Sequence, residues 1–216
     1  TVYAPKEDSY IRQKWRIEDK SLEARSIPKN IAQVYTLSPG ADFNRKSKKD
    51  FNLLLSKFNF AIDKGFSEVG LLFDDIDINN IGIESDDKDL GKFHGELISE
   101  IITKLGLSNG WFCPSIYCES FSKKGIQNDK YLEGVSETIN NDLFFLWTGP
   151  KVISDFISQD HLKELGQVIK NPVVIWDNFY ANDYCPTRLF LGNITGRDFF
   201  RGNPHGHAIN GTGLIN

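Results

Sequence analysis

The amino-acid sequence predicts an α/β fold, specifically a (β/α)8 TIM barrel that is incomplete at its first strand. Two observations in the 216 residues predict it. Short apolar runs alternate with stretches of helical spacing, which is typical of a parallel sheet. Polar side chains follow directly after successive strands, and eight-stranded barrels place their functional groups at those strand ends. About six strand signals are visible where a barrel needs eight, and the sequence leaves open whether the last strand is also missing.

The strands and helices are predicted in order along the chain. Five strands are short apolar runs rich in β-branched or aromatic residues, at 34–37, 69–73, 111–114, 144–147 and 173–176, and a further strand end is expected before Lys6. Between these runs, apolar residues recur at steps of three and four, which indicates helices near 48–64, 93–105 and 162–169. Gly65 and Gly106 follow the first two helices and are expected to end them. An open doubly wound sheet is disfavoured because no glycine-rich first turn is visible.

Composition narrows the class of protein. A net charge of -4 leaves no basic excess to neutralise phosphates, so nucleic acid is not an expected partner. No apolar run approaches membrane-spanning length, so no membrane partner is expected either. Three cysteines, an odd number, predict free thiols, and no cofactor or metal site is expected because no ligand pair follows at suitable spacing. Without a linker-like tract, residues 1–216 are predicted to form a single barrel domain cut from a longer chain.

Two adjacent acids, Asp74 and Asp75, end the buried run at 69–73. Neighbouring carboxylates resist ionising together, so the pKa of one is raised and it can hold a proton near neutrality. A general acid that acts on a glycosidic oxygen needs this property. Two other interpretations stay open from these residues alone. An aspartate after a strand often caps the next helix, and Asp75 with Asp77 could bind a cation.

The segment Leu71-Leu72-Phe73-Asp74-Asp75-Ile76-Asp77 resembles the catalytic signature of the O-GlcNAcase family, which is glycoside hydrolase family 84. Other stretches resemble the family in the same order along the chain, at 3–6, 37–40, 112–118, 146–152 and 174–192. The resemblance extends from Val2 to about Arg197. Six collinear motifs are far more specific than any one of them.

The resemblance implies a retaining exo-β-N-acetylglucosaminidase that removes terminal β-linked GlcNAc, including O-GlcNAc on Ser and Thr of proteins. In this family the 2-acetamido oxygen of the substrate attacks the anomeric carbon and forms an oxazoline. Asp74 matches the residue that orients the acetamido N–H, and Asp75 matches the general acid and base. GlcNAc-bearing proteins or glycans are the partners that the resemblance implies.

Six further residues match positions that bind the sugar in this family, namely Lys6, Tyr117, Trp176, Asn178, Asp183 and Asn210. Tyr117 matches a tyrosine that holds the oxazoline oxygen, and Trp176 matches the wall of the acetamido pocket. Taken alone, either aromatic ring is more often a packing residue. Asp183 could equally be a turn residue, and Lys6 a solvated surface lysine.

Two alternative functions stay open. The family's first strand carries a Gly-Phe-Tyr-Gly stretch that is not present, which keeps open a barrel that binds GlcNAc without turnover. A hyaluronidase-like or glycan-directed β-N-acetylhexosaminidase would retain the mechanism and change the substrate. The sequence does not fix the compartment, although a soluble cytoplasmic protein is favoured over a secreted one.

Overall fold

The computed structural model describes residues 2–3, 15–16, 22, 30–40, 43–74, 88–182, 185, 187, 189–198 and 205–211. Within these ranges the strands are β1 Val2–Tyr3, β2 Val34–Leu37, β3 Glu68–Leu72, β4 Trp111–Cys113, β5 Phe144–Trp147, β6 Val173–Asp177 and β7 Gly206–Ile209. The helices are α1 Lys48–Asp63, α2 Lys88–Leu105, α3 Lys130–Thr138 and α4 Gln159–Val168. Two short 3-10 turns, Glu119–Phe121 and Ile126–Asn128, lie between β4 and α3.

The sheet has the strand order of a barrel. Each strand pairs in parallel with the next one along the chain, from β1 through β7. This sequential order curls into part of a barrel, so the α/β prediction is confirmed. In the described part of the chain seven strands are present, one fewer than a closed barrel needs, and no pairing there joins β1 to β7. The complete eight-stranded barrel therefore stays a prediction.

The two faces of the sheet carry different apolar clusters because side chains alternate along a strand. In β5, Phe145 and Trp147 pack in a large outer cluster with helix residues such as Leu165 of α4. Leu146 points the other way and belongs to a smaller inner cluster of strand and loop residues. That inner cluster contains Leu72, Cys113, Tyr117, Cys118, Leu146 and Val174, with Trp176 and Ala208 packed against it. Helices cover the outer face, and the inner face is the concave one.

Local capping chemistry sets the helix starts. The hydroxyl of Ser47 accepts from the Asp50 N–H at the start of α1, and Ser158 accepts from the His161 N–H at the start of α4. Asp129 caps α3 in the same way. The helices predicted near 48–64, 93–105 and 162–169 are confirmed as α1, α2 and α4. Helix α3 and strand β7 were not predicted.

Among the helices of the described residues, none combines the length and the hydropathy that crossing a bilayer requires.

Candidate active site

A cavity of about 470 Å³ opens at the carboxyl ends of the strands. This volume is in the range of small-molecule binding sites. Its polar lining consists of one carboxylate, two hydroxyl groups, one thiol and three amide groups, from Asp74, Tyr117, Thr148, Cys113, Asn178, Asn182 and Asn210. Its apolar lining includes Leu72, Val152, Ile153, Trp176 and Ala181. Ends of β3 to β7 all contribute, which is the position of ligand sites in barrel folds.

Strand β3 delivers the carboxylate. Leu72 faces the cavity from the last position of the strand, and Asp74 follows two residues later, half-buried in the cavity wall. Between them Phe73 turns to the outer face, where its ring stacks on the imidazole of His94 at 3.7 Å. The Phe73 N–H also donates to the carbonyl of Cys113 on β4 at 2.9 Å. The backbone that carries Asp74 is therefore held by the neighbouring strand β4 and by the helical layer on the outer face.

Tyr117 is buried in the loop after β4, with the edge of its ring against Phe121 at 4.9 Å between centroids. The loop is fixed from β5. The Thr148 N–H donates to the Tyr117 carbonyl at 2.9 Å, and the Thr148 hydroxyl donates to the Lys151 carbonyl at 2.9 Å. The Ser154 hydroxyl donates to the Thr148 carbonyl at 3.0 Å. Tyr117 thus enters the cavity from a rigid loop.

The ends of β6 and β7 present an aromatic ring and a pair of amides. Trp176 lies on the inner face opposite Ala208, whose small side chain leaves room for the indole. One residue past β6, the Asn178 Nδ2 donates to the Val152 carbonyl at 2.8 Å. The Asn210 Nδ2, one residue past β7, donates to the Asn178 Oδ1 at 2.6 Å. Side-chain hydrogen bonds therefore link the β5 loop to β6, and β6 to β7, around the rim of the cavity.

A buried ion cluster that the sequence did not predict lies behind this rim. Arg197 donates to both carboxylate oxygens of Asp177, at 2.8 and 2.7 Å, and His207 lies 2.7 Å from Oδ2. The guanidinium also sits over the ring of Phe179 at 4.8 Å. Burial raises the pKa of Asp177, but the hydrogen bonds and charges of Arg197 and His207 outweigh it and lower that pKa to about 2. The cluster ties β6 to β7 and to the segment that follows Gly196.

The structure brings five of the eight predicted site residues to one cavity, namely Asp74, Tyr117, Trp176, Asn178 and Asn210. The other three, Lys6, Asp75 and Asp183, lie outside the described residues. Sequence reasoning assigned no function to Cys113, Val152 or Asn182, which also line the cavity. Their positions could have found them, because Cys113 ends β4, and Val152 and Asn182 each lie in the loop that follows a strand. No group of three or more potential metal-ligating side chains comes together in the part of the chain that is described.

A parallel β/α sheet with a polar cavity at its carboxyl edge is the architecture on which barrel hydrolases and other barrel enzymes are built. Within that class, the chain belongs to the beta-N-acetylglucosaminidase family, whose sequence model matches residues 1–200. It is 35% identical over 208 residues to Protein O-GlcNAcase of Rattus norvegicus, an alignment that covers 91% of this chain and 22% of the rat protein. The chain thus spans about a fifth of the length of this curated relative.

Solved structures show the same fold. An O-GlcNAc hydrolase mutant of Thermobaculum terrenum superposes with a TM-score of 0.78 at 22% identity, over 99% of this chain and 48% of that one. A second structure, CpGH84B, gives a TM-score of 0.78 at 24% identity, over 98% of this chain and 39% of that one. The family resemblance that the motifs predicted is confirmed.

Proposed function

We propose that this chain carries the active site of a retaining exo-β-N-acetylglucosaminidase that removes terminal β-linked GlcNAc, including O-GlcNAc on Ser and Thr of proteins. One observation carries the proposal: a carboxylate, a tyrosine, a tryptophan and two amides from four different strand ends line one cavity. Family membership and the name of the rat relative support the same activity. The cavity is also large enough for a single sugar ring.

The proposed mechanism needs no nucleophile from the protein. The acetamido oxygen of the substrate attacks the anomeric carbon while the bond to the leaving oxygen breaks, and an oxazoline forms. Asp74 accepts the acetamido N–H and balances the positive charge that develops on it. Asp75 gives its proton to the leaving oxygen and later takes a proton from the water that opens the oxazoline. Two displacements at the same carbon give net retention, as in other substrate-assisted glycosidases.

The remaining predicted residues bind the sugar. Trp176 forms the apolar wall beside the acetamido methyl group, and the Tyr117 hydroxyl donates to the oxazoline oxygen. Asn178 and Asn210 contact the ring hydroxyls as a coupled pair. Among the described residues the Oδ1 of Asn210 accepts no hydrogen bond, so it can accept one from a sugar hydroxyl. Asp183 and Lys6 complete the hydroxyl contacts, and a carboxylate suits that role because it accepts two hydrogen bonds with charge assistance.

Variants of the two acids test the proposal. Chromogenic β-N-acetylglucosaminides should be hydrolysed by the purified protein, and Asp74→Asn and Asp75→Asn should each lower kcat roughly a hundredfold or more. The loss in Asp75→Asn should shrink for aryl leaving groups of low pKa, because they depart without a proton. Asp142→Asn is the matched control, since this exposed aspartate lies just before β5, at the opposite end of the sheet. Equal activity in all four proteins would refute the assignment.

Fluorinated acetamido groups test the substrate-assisted step. Each fluorine withdraws electrons from the carbonyl oxygen and makes it a weaker nucleophile, so kcat/KM should fall steadily from N-acetyl to N-trifluoroacetyl substrates. A flat dependence would point to a protein nucleophile. Calorimetric binding of GlcNAc without any turnover would instead favour a non-catalytic binding barrel. Faster cleavage of glycan or hyaluronan-type polymers than of a modified peptide would favour the polymer-directed enzyme.

A further inference from the structure

A buried histidine and tyrosine outside the cavity connect the ends of two strands that line it. His94 on α2 stacks on Phe73, the residue directly before Asp74, with ring centroids 3.7 Å apart and planes within 10°. The Nδ1 of His94 lies 2.9 Å from the hydroxyl of Tyr131 on α3. The same hydroxyl accepts the backbone N–H of Ser115 at 2.9 Å, in the loop that carries Tyr117.

The charge state of this pair suits a fixed structural link. Burial lowers the pKa of His94 to about 3, so its imidazole is neutral at physiological pH. Burial also raises the pKa of Tyr131, more than its hydrogen bonds to Ser115 lower it, so the phenol keeps its proton. The Ser115 N–H can only donate, which leaves the phenolic hydrogen available to the neutral imidazole. A buried network of this kind holds its members rigidly because each unmade bond would be costly.

His94 and Tyr131 place polar groups deep in the layer between sheet and helices. His94, Tyr131 and Ser115 are each 5% exposed or less, and the imidazole of His94 contacts the rings of Phe73, Phe93 and Tyr131. An apolar side chain would fill the same space without the cost of burying an imidazole. An apolar side chain in place of His94 could stack on Phe73 at the end of β3. It could not also accept a hydrogen bond from Tyr131, whose hydroxyl holds the loop after β4.

We propose that His94 and Tyr131 are positioning residues that set the distance between Asp74, which follows β3, and the loop after β4 that carries Tyr117. The inference rests on the proposed function, because its consequence is the relative placement of Asp74 and Tyr117 around the acetamido group. His94 fixes the Phe73 backbone by stacking, and Tyr131 fixes the Ser115 backbone by its hydroxyl. Neither side chain touches the substrate.

Removing the hydroxyl of Tyr131 separates positioning from packing. Tyr131→Phe keeps the ring and leaves the Ser115 N–H without its acceptor. We expect kcat to fall about tenfold or more, because small misplacements of reacting groups have large effects, while KM changes less than about twofold. His94→Asn keeps an acceptor near the Nδ1 position and loses the stack on Phe73, so kcat should fall there too.

The matched control is Ser99→Ala. The Ser99 hydroxyl on α2 accepts the Asn140 N–H at 2.8 Å, so this variant also removes a hydroxyl that holds the backbone N–H of a distant loop. Asn140 precedes β5 at the opposite end of the sheet from the cavity. Ser99→Ala should therefore lower the free energy of unfolding and leave kcat within about twofold of the wild-type value.

Amide NMR signals supply a readout that is independent of catalysis. Tyr131→Phe should shift the amide signals of Asp74 and Tyr117, and Ser99→Ala should leave both unchanged. The inference is overturned if Tyr131→Phe leaves kcat and these two signals as they are in the wild type. A wild-type protein without glycosidase activity would overturn the proposed function instead, and the amide shifts would then decide whether the pair positions the two strand ends.

Discussion

At the scale of single residues, Asp177 is the carboxylate on which the rim of the cavity depends. Asp177→Asn leaves the buried guanidinium of Arg197 against a neutral amide. Because one partner of a buried ion pair is lost, we expect the free energy of unfolding to fall by about 3 kcal/mol. Urea unfolding at pH 7 measures it. Asp155→Asn is the control. Asp155 pairs with Lys151 on the surface at 3.1 Å, so this variant should leave the free energy of unfolding unchanged.

The pH range of this contribution follows from the direction of the shift. The pKa of Asp177 is lower in the folded protein than in the unfolded chain, so its stabilisation is present above about pH 4 and is lost as the pH falls through about 2. Equal stabilities of Asp177→Asn and the wild-type protein at pH 7 would contradict this account of the cluster.

Site residues differ in how far the sequence could predict them. Asp74 and Asn178 closely follow strands that the sequence predicts, so a strand signal and a motif point to them, whereas Asn210 follows the unpredicted β7 and was predicted only from its spacing in the family pattern. Asp177 and Arg197 are 20 residues apart and meet only when the segment after β6 returns to the sheet. Local spacing carries no information on such a pair. The same holds for His94, whose partner Tyr131 lies 37 residues further on.

At the scale of elements, α2 and α3 pack so closely that glycine is required between them. A Cβ added at Gly134 of α3 would lie 2.2 Å from the Lys88 carbonyl oxygen, and one at Gly91 of α2 would lie 2.0 Å from the Tyr131 carbonyl oxygen. Both contacts are with backbone, which cannot move aside as a flexible side chain can. We expect Gly134→Ala to destabilise the protein by about 1–3 kcal/mol, measured by thermal or urea unfolding.

For Gly166 in α4, substitution by alanine is expected to change the stability in the opposite direction. A Cβ at Gly166 would meet nothing within 4 Å. Alanine loses less backbone entropy than glycine in a helix, so Gly166→Ala should stabilise the protein by up to about 1 kcal/mol. If both variants changed stability in the same direction, close helix packing would not be the reason for Gly134.

Helix α3 and strand β7 were not predicted from the sequence, and the physical reasons are similar. Helix α3 is only nine residues long and contains Gly134, so its apolar pattern is too short to stand out. Strand β7 reads Gly-His-Ala-Ile, in which the outward His207 bonds to Asp177 and the inward Ala208 makes room for Trp176. In both elements, contacts with neighbouring elements explain the residue type, as at Gly134 and Ala208, and local periodicity does not. Strands such as β3 and β5 were predicted because burial on both faces makes them continuously apolar.

At the scale of the whole molecule, the strand ends are joined into one unit by side chains and not by the sheet alone. Thr148 bonds the loops after β4 and β5, Asn178 bonds the β5 loop to β6, and Asn210 bonds β7 to β6. His94 and Tyr131 extend this linkage from β4 to β3 through the helical layer. Because these bonds connect the wall of the cavity to the packed core, a change in the free energy of unfolding is also expected to affect the geometry of the cavity.

His94 makes that global stability depend on pH. Its pKa is about 3 in the folded protein and near 6.5 in the unfolded chain, so below pH 6.5 only the unfolded chain binds the proton. Folding then loses about 1.4 kcal/mol for each pH unit down to about pH 3. Between pH 7 and pH 5, urea unfolding should show a decrease about 2 kcal/mol larger in the wild type than in His94→Asn. Tyr131→Phe retains the buried imidazole and should keep the wild-type slope, whereas an unchanged slope in His94→Asn would mean that the histidine is not neutral in the fold.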